Sequence, residues 1–205
     1  MIAMADKALF WPAESTLFVA DVHLGKDAAM LASAIPIPLG STTETLCRLS
    51  HVLDLSGAKS LILLGDLWHA KAGRTPRFTE EFVCWRRRHA SVKMLLVEGN
   101  HDLKSGPLPA EADVTTVSEP HAMGPFALCH MPEPRDTGYV LSGHIHPGVV
   151  MEGMGRQSVK LPCFWFGPQA AVLPAFGVFT GCASVRPASG DQVFVVFDGK
   201  ILSVG

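Results

Sequence analysis

The sequence has little charge and no excess of either sign. Only 18% of its 205 residues are charged, and 17 basic against 19 acidic residues leave a net charge of −2. This balance excludes a polybasic protein that holds nucleic acid or a membrane by bulk charge alone. With 48% hydrophobic residues, the chain is not disordered and has enough apolar material for a core. The length predicts one domain spanning residues 1–205.

Paired cysteines and a long apolar run are also missing. The five cysteines include no CxxC pair, so neither a disulfide framework nor a thiolate zinc site is expected. The N-terminus has no basic segment followed by an apolar run, so no signal peptide is predicted. The most apolar segment, residues 161–183, is interrupted by prolines and glycines, and it predicts short buried strands. We therefore expect a cytoplasmic protein with no membrane partner.

Apolar periodicity divides the chain into two halves. Apolar runs predict strands at residues 16–21, 60–64 and 93–97, and leucine spacing predicts a helix that starts with a capping box at residues 41–44. A second helix is predicted over residues 77–89. From about residue 114, β-rich pieces alternate with glycine and proline, among them GVFTG at residues 177–181 and a QVFVVF-DG-KILSV hairpin. The pattern indicates an α/β domain with two sheets back to back and helices outside.

Side chains of the types that bind metal ions follow the predicted strands. Asp21 and His23 end the first strand, and residues two apart in an extended segment point to the same side. The other motifs are GD at Asp66, GNHD at residues 99–102 with Asn100, CH at His130, and GHIH with His144 and His146. Singly, GD, DxH and a lone histidine are more often turns or satisfied polar residues, whereas GNHD and GHIH are stronger signals because two ligand-type residues follow a glycine. Together they place seven potential ligands at strand ends, where α/β sheets bind ligands.

The types of these residues narrow the choice of ion. Two carboxylates, one amide and four imidazoles, with no thiolate, suit Mn²⁺, Fe²⁺ or Zn²⁺. Seven protein ligands are too many for one ion that must also keep water, and they suit two ions that share a bridging carboxylate. We expect two divalent ions, Mn²⁺ in the first instance, which attract phosphate despite the net negative charge.

The motifs DxH, GD, GNHD, H and GHxH, in this order, resemble those of the calcineurin-like metallophosphoesterases. Longer segments resemble the ligase-associated DNA damage response endonucleases (PdeM): ADVHLGK, IPIPLGST, GDLWHAKAGR, GPFALCH, LPCFWFG and LPAFGVFTG. Those bacterial enzymes are linked with an ATP-dependent DNA ligase, a helicase and an exonuclease. The resemblance implies a four-layer αββα sandwich of two mixed sheets flanked by helices. It also implies an endonuclease that hydrolyses DNA phosphodiester bonds in DNA repair.

The resemblance also implies a role for each motif residue. It places Asp21, His23 and His146 on one ion and Asn100, His130 and His144 on the other, with Asp66 bridging the two. It makes His101 a catalytic residue that faces the scissile phosphate without binding metal, and Asp102 the residue that orients it. Many family members have His-Gly or His-Glu at the fourth motif, whereas this chain has His130-Met131-Pro132. The resemblance therefore implies no particular substrate contacts for this loop.

Several further polar residues have both a functional and a structural interpretation. His69 follows Asp66 by three residues and is a candidate substrate contact. Lys71, Arg74 and Arg77 form a basic stretch that meets a nucleic-acid backbone or is simply a solvated loop. By contrast, His89, on the second predicted helix, is expected on a solvated face.

Two other functions remain open at this level. One is a phosphomonoesterase, or a hydrolase of a small nucleotide or a lipid-linked pyrophosphate. The lipid-linked hydrolases are less similar because they carry arginine where His101 stands. The other is a non-catalytic scaffold that has lost its metals. The complete set of ligand residues argues against the scaffold.

Overall fold

Two β-sheets packed face to face form the framework of the protein. The computed structural model describes residues 1–153 and 157–204. The first sheet contains β1 (Ile2–Met4), β2 (Ala8–Trp11), β3 (Thr16–Val19), β4 (Ser60–Leu64), β5 (Lys93–Val97) and β6 (Thr115–Val117). The strands follow in this order across the sheet, antiparallel from β1 to β3 and parallel from β3 to β6. Its parallel part confirms the predicted strands at residues 60–64 and 93–97.

The second sheet is built from the C-terminal half of the chain. It contains β7 (His121–Met123), β8 (Phe126–Leu128), β9 (Tyr139–Ser142), β10 (Pro147–Glu152), β11 (Ser158–Phe166), β12 (Ala170–Val172), β13 (Ala183–Ser184), β14 (Gln192–Phe197) and β15 (Lys200–Val204). The order is β13-β10-β11-β12-β9-β8-β7, with β14 also paired to β11 and β15 paired to β14. β14 and β15 form the predicted hairpin, because Asp198 and Gly199 both have positive φ in its two-residue turn.

The α-helices come from the first half of the chain. They are α1 (Lys26–Ala32), α2 (Ser41–Ser56), α3 (Pro76–Arg88) and α4 (Asn100–Ser105). Short 3-10 helices occur at Pro12–Glu14, Lys71–Gly73 and Ala110–Ala112. The expectation of two mixed sheets flanked by helices is confirmed. Among the described residues, no α-helix follows residue 105. In residues 1–153 and 157–204, no helix combines the length and apolarity needed to cross a bilayer.

The central strands of the first sheet are apolar on both faces, which explains their unbroken apolar runs. In β3, Leu17 and Val19 pack in the cluster that contains the apolar faces of α2 and α3. Phe18, between them, packs in the cluster shared with the second sheet. The ends of these strands are therefore held rigidly between two layers of core.

The start of α2 differs from the predicted capping box. The helix begins at Ser41 with Gly40 as its N-cap, and no side chain caps it. The Ser41 hydroxyl is buried without a hydrogen-bond partner. Gly40 N instead donates to Asp27 Oδ2 at 2.9 Å. The prediction was wrong because a tertiary contact from α1 replaces the local one.

Residues 177–181 do not form the strand that the sequence predicts. This segment contains bends and turns. Phe176 N donates to the carbonyl oxygen of Ala20 at 2.8 Å, and Gly177 N donates to that of Asp21 at 3.1 Å. A Cβ at Gly177 would lie 2.3 Å from the carbonyl oxygen of Val22. The segment therefore packs against the backbone that carries the first ligand motif.

Candidate metal centre

All seven predicted ligands lie at one end of the two sheets. They follow the C-terminal ends of β3, β4 and β5 in the first sheet and of β8 and β9 in the second. His144 N donates to Asp21 Oδ2 at 2.9 Å, which joins the two sheets across the site. His130 Nδ1 lies 3.2 Å from the carbonyl oxygen of Leu64. Strand direction and sheet packing thus bring residues more than 120 positions apart into contact.

Five of the ligand residues have left-handed backbone conformations. They are Asp21 (φ 54°), His23 (φ 51°), Asp66 (φ 52°), His144 (φ 68°) and His146 (φ 52°). Residues other than glycine rarely adopt such angles, and those that do cluster at functional sites. β3 ends at Val19, so the expected extended conformation at Asp21 and His23 is wrong. The turns, and not strand alternation, bring these side chains together.

The first cluster contains Asp21, His23 and His146. His146 Nε2 lies 3.4 Å from Asp21 Oδ1 and 3.2 Å from His23 Nε2. Asp21 is completely buried. Burial first, with the nearby charges of His146, His69 and Lys26, lowers the pKa of His23 to about 2. The imidazole is therefore neutral and offers a lone pair.

The second cluster contains Asp66, His130 and His144, with Asn100 beside it. His130 Nε2 lies 3.5 Å from Asp66 Oδ2, 3.0 Å from His144 Nδ1 and 3.0 Å from Asn100 Oδ1. Burial raises the pKa of Asp66, although His130 and the His101 N–H favour its charged form. Each cluster brings its ligand atoms within 4.8 Å of one another.

The polar atoms in this centre fit divalent cations. Asp21 Oδ1 is buried and has no hydrogen-bond partner, which is costly unless another group satisfies it. Imidazole nitrogens also face one another at 3.0 and 3.2 Å. Carboxylate oxygens and neutral imidazole nitrogens are ligands for first-row divalent metals. Bound cations would give Asp21 Oδ1 and these imidazole nitrogens partners.

Glycines before the ligands make room for side chains of neighbouring motifs. A Cβ at Gly65 would lie 2.0 Å from His130 Nδ1, and a Cβ at Gly143 would lie 2.5 Å from Asp21 Oδ2. In the sequence, these glycines indicated only turns. Glu119 had no sequence signal at all, yet its Oε2 accepts from the backbone N–H groups of His130 at 2.6 Å and Met131 at 2.9 Å. It therefore fixes the loop that carries the fourth motif.

His101 lies at the open side of the centre. Its Nδ1 donates to the carbonyl oxygen of His69, and its ring stacks on that of His69. Its Nε2 lies 3.8 Å from Asp66 Oδ2, and about a third of the side chain is exposed (35%). The carbonyl contact fixes the tautomer, so Nε2 is the atom available to a substrate.

Asp102 does not orient the His101 ring as the resemblance implied. Its Oδ2 accepts from Gly99 N at 3.0 Å, and its Oδ1 accepts from Trp68 N at 3.2 Å. Burial raises the pKa of Asp102 to about 6, against the effect of these backbone donors. The carboxylate is used to hold the start of α4, so the His69 carbonyl orients His101 in its place.

The remaining predicted site residues differ in their positions. His69 Nδ1 lies 3.4 Å from His23 Nδ1, so the structure does bring His69 to the centre. Lys71 and Arg77 are exposed. Arg74 donates to the carbonyl oxygens of Ser105 at 3.2 Å and Gly106 at 2.8 Å. Its guanidinium therefore holds the C-terminal end of α4.

Comparison with known proteins gave matches among solved structures only. No family model and no curated protein matches the chain. The crystal structure of the Pseudomonas putida nuclease MPE is 41% identical, with 98% of this chain and 93% of that chain covered and a TM-score of 0.86. The phosphoesterase YfcE from E. coli is 14% identical, with 92% of this chain and 97% of that chain covered and a TM-score of 0.46. Identity of 41% over almost the whole chain confirms the resemblance seen in the motifs, and the protein therefore belongs to the calcineurin-like metallophosphoesterases, hydrolases of phosphate esters, and to their PdeM-like group.

Proposed function

We propose that this protein is a metal-dependent phosphodiesterase that cleaves DNA internally. One observation carries the proposal: two adjacent ligand clusters, with a buried Asp21 Oδ1 that has no hydrogen-bond partner, lie beside His101, whose ring Nε2 is 3.8 Å from the nearest carboxylate oxygen. The similarity to a nuclease supports DNA as the substrate. A phosphodiester carries one negative charge, so a metal centre with few additional cations suffices to bind it.

Two ions per chain match the two clusters. Asp21, His23 and His146 would hold one ion, Asn100, His130 and His144 the other, and Asp66 would bridge them. Mn²⁺ is the proposed metal, with Fe²⁺ or Zn²⁺ as alternatives, because the donors are oxygen and imidazole nitrogen without thiolate. When bound, such a pair supplies Lewis acidity and lowers the pKa of water.

In the proposed reaction, His101 donates the proton to the leaving oxygen, and His69 orients the His101 ring. The His69 carbonyl holds His101 Nδ1, so the acidic proton of protonated His101 is on Nε2, toward the open cleft. The departing oxygen of a nucleotide is a poor leaving group near neutral pH. A proton held at Nε2 would contribute about 10²- to 10⁴-fold in rate. His69 packs against this ring and limits its rotation.

We also propose the cellular setting that the resemblance implies. The protein would act in DNA repair in the cytoplasm, together with an ATP-dependent DNA ligase, a helicase and an exonuclease. Single-stranded or distorted DNA would be the preferred substrate, because a flexible strand enters a metal cleft more easily than a stiff duplex.

Three substrates distinguish the proposal from its alternatives. Purified protein loaded with each divalent metal is assayed on plasmid, on a single-stranded DNA circle and on a 5′-phosphorylated oligonucleotide. We expect Mn²⁺-dependent cutting of the circle, with Asp66→Asn as the inactive control. Phosphate release from the oligonucleotide with intact circles would show a phosphomonoesterase instead.

A further inference from the structure

A small apolar groove lies on the second sheet and is lined in part by loops that carry predicted metal ligands. Its volume is about 340 Å³, a size typical of the smaller ligand sites in proteins. Its apolar lining includes the side chains of Pro132, Pro134, Ile145, Trp165 and Val172.

The groove and the metal centre share two loops of the chain. Ile145 lies between His144 and His146, and Pro132 follows His130 by two residues. The loops that direct imidazoles into the ligand clusters therefore also contribute apolar side chains to the groove. Because these loops are shared, the occupant that we consider is a group covalently attached to a phosphate at the metal centre. A protein or lipid partner would need a much larger surface than this groove offers.

Trp165 is held in a fixed orientation within the groove. Its indole Nε1 donates to Asp191 Oδ2 at 2.8 Å, and the same oxygen accepts from Ala188 N at 2.7 Å. The one polar atom of the indole is thus satisfied inside the protein, which leaves apolar ring surface for a ligand. The other walls include two prolines, whose rings are rigid. Such a site offers stacking and apolar contact with little hydrogen bonding.

We propose that the groove binds an unpaired nucleobase of the substrate strand, next to the cleaved phosphate, by contact with Trp165. This inference rests on the proposed cleavage of DNA. Aromatic side chains bind bases of any sequence because every base has a π-face. The groove would therefore add affinity without sequence preference. It would also favour single strands, because bases in a duplex are already stacked and paired.

The test compares two Trp165 variants on substrates with and without a base. Trp165→Ala, the conservative Trp165→Phe and the control Trp11→Ala are assayed on a single-stranded oligonucleotide and on bis(p-nitrophenyl) phosphate. Trp11 is also partly buried but packs on Phe126, outside the groove. We expect Trp165→Ala to raise KM for the oligonucleotide about 5- to 100-fold. Trp165→Phe should restore most of this loss, and the aryl ester should be cleaved normally by every variant.

A measurement on the unaltered protein covers the case in which Trp165→Ala does not fold. Oligonucleotides with an abasic residue on either side of a single cleavage position should bind about as weakly as the variant binds normal DNA. Unchanged KM for oligonucleotides in both Trp165 variants, or equal affinity for abasic DNA, overturns the subsite alone. Protein that hydrolyses the aryl ester but no DNA overturns the proposed function, and the nucleobase subsite with it.

Discussion

At the scale of single residues, burial determines how the ligands behave. Asp21 is sealed between the sheets, and one of its carboxylate oxygens has no partner. His23 is kept neutral because burial lowers its pKa to about 2. Both effects destabilise the site in the absence of a cation and favour binding of one. Metal should therefore stabilise the folded protein by mass action.

Asp66 is the residue that the proposed centre would share between its two ions. Its Oδ1 accepts from His101 N at 2.9 Å, and its Oδ2 faces His130. Asp66→Asn preserves the shape and tolerates the positive φ, but it removes the charge. We expect fewer than two ions per chain and at least about 100-fold lower activity, since even indirect partners of a metal matter 10- to 100-fold. Metal analysis of the folded variant under saturating Mn²⁺ measures the number of bound ions. Two ions per chain in this variant would contradict a bridging role for Asp66.

His101 is expected to act on the leaving group. His101→Ala should keep its metals and lose about 10²- to 10⁴-fold in rate, because no proton is then held for the departing oxygen. The loss should be largest on DNA and smallest on nitrophenyl esters, whose leaving groups need no proton. Rates on a series of esters with leaving groups of increasing pKa measure this. A uniform loss across the series would argue against general acid catalysis.

At the scale of elements, the loops after the strands interlock through glycines. Gly143→Ala would place a Cβ 2.5 Å from Asp21 Oδ2 and 2.6 Å from Ala20 Cβ. We expect about 1–3 kcal/mol lower stability from this overpacking, together with weaker metal binding. Urea denaturation and metal titration measure the two effects. Gly181→Ala, whose Cβ would meet nothing within 4 Å, is the control and should change neither.

The C-terminal end of α3 forms a second interlocked contact, which corrects the expected solvated face at His89. Trp85 Nε1 donates to Ser50 Oγ at 2.9 Å, and that hydroxyl lies 2.8 Å from His89 Nε2. Burial, aided by Arg88 and Arg86, lowers the pKa of His89, while Asp54 opposes the shift. The neutral imidazole can then accept the proton of the Ser50 hydroxyl.

This contact predicts a pH dependence of stability. When the folded pKa of a histidine is lowered, the unfolded chain binds the proton more readily. The contribution of His89 is present above its unfolded pKa of about 6.5 and is lost as pH falls below that value. His89→Gln should therefore lose less stability than the natural protein between about pH 7.5 and about pH 5.5. Urea denaturation with a chelator present measures this, and equal losses would contradict it.

At the scale of the whole molecule, charge is sparse. The net charge is −2, Lys71 and Arg77 are exposed near the site, and Arg74 is engaged with backbone carbonyls. We expect the affinity for single-stranded DNA to fall with salt at a logarithmic slope of about −1.4 to −2.1, for two or three phosphate contacts. Binding of the His101→Ala variant over a range of salt concentrations measures the slope. A slope steeper than about −4 would indicate an extended basic surface.

Much of the architecture follows from patterns within short segments. The apolar runs at residues 60–64 and 93–97 are typical of strands in a sheet that is covered on both faces. The Asp198-Gly199 pair is typical of a two-residue hairpin turn. Helix α2 ends where Gly57 takes a positive φ, as its position in the sequence predicts. The family and the residues of its motifs were also recognisable from the sequence, because the motifs are contiguous.

Only the tertiary structure decided how these pieces act on one another. The left-handed backbone at Asp21 and His23, the bond from Trp68 N to Asp102, and the support that Glu119 gives to His130 all depend on other segments of the chain. Local propensity carries no information about them, because each is stabilised by a partner brought near by folding. The same holds for Trp165 and Ile145, which are 20 positions apart and meet in one groove. The sequence determined which chemical groups this protein has, and the packing of its two sheets decided which of them share a site.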